Sequence, residues 1–164
     1  MARTSTDGVP ESTDVRWLDG LEMAAWLAYI ETQGDLIAAL DRDLAPAGLS
    51  LGDYQVFVHL SGAEDQSMRM SDLADALRLS ASGLTRRLDG LVCDGLVERR
   101  HSDSDRRVVW AVLSPAGRQR LEAAAPIHLA SVRRHLVDRL DRSDLEALAR
   151  IFGAIQAGLD RDEA

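Results

Sequence analysis

The sequence predicts a mainly α fold with one small β-hairpin, an α+β arrangement with helices before and after the hairpin. Three observations predict it. Apolar residues recur every three or four positions through most of the chain, the spacing of helices with a buried face. A run of β-formers, "VVWAVL" at 108–113, stands between a charged turn and Ser114-Pro115. Between Ser71 and Gly95 lie two short capped helical stretches joined by a tight turn. At 164 residues, 46% hydrophobic and 28% charged, the chain is one globular domain or one domain with helical extensions.

In order along the chain, "MARTSTDGVPESTD" reads as a floppy tail, followed from about Asp14 to Ala45 by a helix apolar on more than one face. Trp17, Leu18, Leu21, Trp26, Tyr29, Leu36, Ile37 and Leu40 cover most of its circumference. Such a helix is expected to bury itself against its own domain and against a second subunit. Pro46 and Gly48 end it. Ser50 and Asp53 form a variant capping box for the helix "LGDYQVFVHL", closed by Ser61 and Gly62. The connector "AEDQS" and a strand "MRM" follow, and Ser71 is expected to cap "DLADALR". Leu79 makes the turn, Ser80 caps "ASGLTRRLDGLVCD", and Gly95 terminates it.

In that second short helix Leu84, Leu88 and Leu91 fall at i, i+4 and i+7 and face a core. Ser82, Thr85, Arg86 and Asp89 are left pointing outward. Small hydroxyls and an arginine at an exposed helix start suit a DNA major groove, because they approach base edges while the helix N-terminus meets phosphate. "LVERRH" at 96–101 pairs with the later strand, so Ser102, Asp103, Ser104, Asp105, Arg106 and Arg107 form the hairpin tip. Ser114 and Pro115 open a helix whose expected inward residues are Leu121, Ala125, Leu129, Val132, Leu136 and Leu140, with a bend at Pro126. A last helix opens on the capping box Ser143 to Glu146 and carries Leu145, Leu148, Phe152, Ile155 and Leu159 as a seam for a partner helix.

The net charge of −8 argues at first against a nucleic-acid partner, yet all nineteen basic residues are arginine and they are unevenly spread. Residues 66–120 hold ten arginines against seven acids, a balance of +3, and the rest carries −11. Arginine suits bidentate contact with phosphates and guanine edges. The longest apolar run, eight residues from Met23 to Ile30, falls far short of a membrane span, so no membrane partner is expected. The start of the chain lacks a secretion signal, and the single Cys93 agrees with a reducing compartment; the cytoplasm is the expected location.

Neither a phosphate loop nor a nucleophile elbow is present, so the chain does not read as an enzyme and no cofactor is implied. His59, His101, His128 and His135 lack ligand-spaced partners, which speaks against a metal site. Cys93 lies near a helix C-terminus beside Asp94, where its thiol is not activated. Arg99 and Arg100 alternate across their strand, so at most one of them faces DNA.

Strand, helix-turn-helix, charged hairpin and long helix, in that order, make a winged helix-turn-helix. From Met70 to Arg118, and above all in "DRRVVWAVLSPAG", the chain resembles the MarR family of bacterial transcriptional regulators. Ser114 stands where that family's wing signature usually has threonine, and it keeps the capping oxygen. The resemblance implies a cytoplasmic homodimer on a pseudo-palindromic double-stranded DNA operator, with repression as its role. It divides the chain into a tail at 1–13, an N-terminal dimerisation helix at 14–48, a winged lobe at 49–118 and C-terminal dimerisation helices at 119–164. DNA contacts are expected from Ser80, Ser82, Thr85, Arg86 and Arg87 on the reading helix and from Arg106 and Arg107 on the wing, with Asp105 holding an arginine in place. The family's habit of binding small aromatic or phenolic effectors implies a cavity for which Arg16, Trp17, Trp26, Asp53 and Tyr54 are candidates. The competing reading is a winged-helix module for protein interaction that has no specific DNA binding.

Overall fold

A computed structural model of the chain describes residues 15–102 and 104–162. The tail expected at 1–13, the helix start at Asp14 and the tip residue Asp103 lie outside the described residues. Two compact units are present, one ending at Gly34 and one beginning at Asp35.

The first unit holds most of helix α1 (Gly20–Leu44). It begins later than the apolar pattern suggests, because Asp19 supplies a cap: its Oδ1 accepts the backbone N–H groups of Leu21 and Glu22, and Glu22 Oε2 accepts that of Asp19 in return. The apolar side chains here are largely exposed, Trp17 most of all at 83%. Arg16 donates to Glu22 at 3.1 Å, and the rings of Trp26 and Tyr29 lie tilted with centroids 6.3 Å apart.

In the second unit, α1 passes through a short 3-10 turn to Gly48, whose φ of 69° is the left-handed stop expected there. Ser50 and Asp53 form the full capping box of α2 (Leu51–Gly62). Strand β1 (Ser67–Arg69) leads into α3 (Met70–Ala76), the turn at Arg78 takes a φ of 54°, and Ser80 caps α4 (Ala81–Cys93) by accepting the Gly83 N–H. Ser71 does not cap α3: Arg69 holds the N-cap position, and the Ser71 hydroxyl lies inside the first turn, donating to Asp72 Oδ1. Met70, expected at the end of a strand, instead opens this helix.

Strands β2 (Val97–His101) and β3 (Val109–Leu113) form the hairpin, and β1 joins its far edge to give an antiparallel sheet ordered β1-β3-β2. Phe57, Leu60, Leu73, Leu84, Leu88 and Val97 fill the core beneath it. Ser114 then links hairpin to helix. Its hydroxyl accepts the Gly117 N–H to cap α5 (Pro115–His135) and donates to the carbonyls of Gly95 and Leu96.

The inward face of α5 is the expected one only in part, with Leu121 packed on the core and Ala125 and Val132 half-buried. Gly117, Ala124 and Ser131 are buried, whereas Leu129 is 61% exposed. At the start of the helix the reason is close approach: a methyl group on Gly117 would collide with the Leu96 carbonyl and Leu113 Cδ1, so that position must be glycine. The helix runs through Pro126 but stops at His135, and a 3-10 turn takes up Val137–Arg139, so Leu136 and Leu140 are not on it. Asp43 fastens this end of α5 to α1, accepting from Ser131 Oγ at 2.6 Å and from Arg134 at 3.0 Å, with His135 Nε2 at 2.9 Å. The Ser131 and His135 hydrogen bonds hold the Asp43 carboxyl below the usual carboxylate range.

Helix α6 (Arg142–Asp162) is capped two residues earlier than the sequence suggests. Asp141 Oδ1 accepts the Asp144 N–H at 2.8 Å and also the Ser143 hydroxyl, while Glu146 instead pairs with Arg142. Its expected seam is present, with Phe152, Ile155 and Leu159 at 41%, 52% and 54% exposure.

Candidate nucleic-acid interface

Burial of Leu84, Leu88 and Leu91 fixes the rotation of α4 and leaves Ser82, Thr85, Arg86 and Asp89 on its exposed side. Near the helix start the hydroxyls of Ser80 and Ser82 lie 3.2 Å apart, and Thr85 Oγ1 donates back to the Ala81 carbonyl. Among the described residues no ion pair holds Arg86. Its charge is available to a partner.

Arg87, expected beside it as a DNA contact, is placed differently. Its guanidinium is half-buried, 3.6 Å from Asp53 Oδ1 and 3.5 Å from Ser50 Oγ, and it lies across Gly52, where any side chain would strike it. The carboxylate that caps α2 therefore also tethers α4. This turns Arg87 away from the exposed face of Ser82, Thr85 and Arg86.

The hairpin tip is braced from within. His101 Nδ1 sits 2.9 Å from the Arg106 carbonyl, Ser102 N–H donates to the Val108 carbonyl and Val108 N–H to that of Asp105. Asp105 accepts the Arg107 backbone N–H at 3.0 Å and its guanidinium at 3.2 Å. These bonds, the side-chain one foremost, keep the Asp105 carboxyl ionised below its ordinary range. Arg106 has no ion pair among the described residues.

Between α4 and the hairpin lies a cleft of about 460 Å³ lined by Thr85, Arg99, Arg107, Val108 and Val109 with Arg69, Met70 and Ser71 at its other side. Three of these residues are cationic and none is acidic, in a chain of net charge −8. Of the alternating pair Arg99 and Arg100, Arg99 is the one on this cleft, and its contact with α4 is what sequence reasoning missed. It donates to the Thr85 carbonyl and to Asp89 Oδ1, both at 2.9 Å. The signal was an outward acid on α4 with a cation on the adjacent strand, but only pairing of strand and helix makes them neighbours. Arg100 pairs with Glu98 on its own strand.

Among the effector-cavity candidates, Arg16, Trp17 and Trp26 have the surroundings described for the first unit. Asp53 is occupied by the capping box and Arg87. Tyr54 is buried, with its ring centroid 4.4 Å from that of His128, and burial raises its phenol pKa. His128 Nδ1 is buried without a hydrogen-bond partner among the described residues, and burial lowers its pKa. Cys93 is exposed, and among the described residues no three His, Cys, Asp or Glu side chains gather as a metal site. No described helix is long and apolar enough to cross a membrane.

Comparison with known proteins points one way. Residues 61–109 match the model of the MarR family. The fold is similar to that of AbsC, a MarR family transcriptional regulator from Streptomyces coelicolor, with a TM-score of 0.83 and 40% identity over 89% of this chain and 99% of that one. It is equally similar to Sco3205 from the same organism, solved in complex with DNA, at 0.83 and 32% identity over 88% and 92% of the two chains. The transcriptional repressor YetL of Bacillus subtilis (strain 168) is 28% identical over 70% of this chain and 69% of its own.

Proposed function

The chain belongs to the MarR family, and on that footing we propose that it is a sequence-specific, non-enzymatic DNA-binding repressor that acts in the cytoplasm as a homodimer. The observation that carries this reading is the exposed α4 face of Ser82, Thr85 and Arg86, set beside a braced hairpin tip that presents Arg106 and Arg107. Thr85 and Arg86 read base edges in the major groove, Ser80 and the helix start meet phosphate, and the tip arginines enter the neighbouring minor groove. Asp105 orients Arg107 for that entry. The exposed seam of α6 pairs two copies so that two reading helices meet half-sites about one helical turn apart.

Duplexes enriched from a random pool by the wild-type protein provide the test. Arg86→Ala is expected to cost about 1–3 kcal/mol and to relax base preference. Arg106→Ala is expected to weaken all sequences alike and to lower the salt dependence by about one phosphate contact per subunit. A weak isotherm that is flat with salt would defeat the proposal and favour a protein partner for the winged lobe.

A further inference from the structure

We propose that Arg99 is a positioning residue that locks the reading helix and the wing into one body, so that major-groove and minor-groove contacts act together. The inference rests on the DNA-binding reading above and adds to it how the two elements are held in step.

Arg99 leaves β2, the strand that leads directly into the arginine-bearing tip, and reaches α4 at the Thr85 carbonyl and Asp89 Oδ1. One guanidinium thus grips the helix backbone at the turn where Thr85 and Arg86 are displayed. On the hairpin side the grip is passed on through pairing of Arg99 with Ala111 in β3, and the tip carries its own hydrogen bonds from His101 to Val108. Movement of the stem relative to α4 would therefore move Arg106 and Arg107 as a unit.

Asp89 supplies the second line of argument. Its side chain is 58% exposed on a face that must approach a polyanion, where a carboxylate is electrostatically unfavourable. Its partner is Arg99, so the acid on this face holds the wing's stem to the reading helix. A direct phosphate role for Arg99 would be better served without Asp89.

The two roles predict opposite signs for Asp89→Asn, with duplexes of about 30 base pairs enriched by the wild-type protein as the probe. If Arg99 positions the wing, Asp89→Asn and Arg99→Ala each weaken binding about fivefold with unchanged thermal unfolding. Arg99→Ala added to a protein that already carries Arg106→Ala and Arg107→Ala then loses little beyond that protein alone, because the wing has nothing left to position. Equal or tighter binding by Asp89→Asn, or fully additive losses in the combined variant, would overturn the inference and leave the DNA-binding reading intact. A wild-type protein that enriches no sequence would overturn that reading, and this inference with it.

Discussion

Helices α4 and α6 carry the same kind of apolar stripe and meet opposite fates. Leu84, Leu88 and Leu91 of α4 are buried in the core of the winged lobe, whereas Phe152, Ile155 and Leu159 of α6 remain about half exposed in the single chain. Periodicity states that a face will be covered, not what will cover it. For α4 the cover is α2, α3 and the sheet of the same chain. For α6 the proposed cover is a second copy, because an apolar stripe of this size left in water is unfavourable.

The sharpest way to break that contrast is to damage each stripe in turn. Leu88→Ala should destabilise the lobe by about 2–5 kcal/mol in urea unfolding, through lost burial and the cavity left behind. Phe152→Glu should halve the mass in solution and weaken DNA binding with it, while leaving the unfolding of the dilute monomer nearly unchanged. A Phe152→Glu protein of unaltered mass would show that α6 is not the pairing surface.

A smaller effect sharpens the comparison where the lobe meets α5. Ser114→Ala removes the cap from Gly117 and the donor to Gly95 and Leu96, and should cost about 1–2 kcal/mol in the same unfolding assay. Smallest is a pH effect at His128. Its folded pKa lies below the ordinary value of 6.5, so the fold favours the neutral ring. The stability this gives is complete above pH 6.5 and is lost as pH falls through the lowered pKa. His128→Phe should therefore flatten the decline in urea midpoint between neutral and mildly acidic pH.

Much of this was legible beforehand, for reasons the particular residues make plain. Ser50, Ser80, Gly95 and Ser114 announced their caps and stops because those signals are local. The face of α4 was readable because three leucines at helical spacing leave a single rotation. The face of α5 was readable only in part: Leu121 packs on the core, but the small residue at Gly117 is set by how closely neighbouring backbone approaches, which hydrophobicity does not encode. The cap at Asp19 was hidden by an apolar pattern that begins before it, and that at Asp141 by Ser143, a residue equally able to cap. In the candidate interface, the outward set at 82, 85 and 86 followed from periodicity, but the destination of Arg87 and the grip of Arg99 depend on which elements lie side by side.

The seat of Arg87 on Gly52 has a mechanical consequence. Because the guanidinium occupies the space a side chain would need and is pinned by Asp53 and Ser50, the first turn of α2 and the middle of α4 behave as meshed gear teeth. A push on the start of α2 is therefore delivered to α4 one residue from Arg86, behind the face proposed to meet DNA.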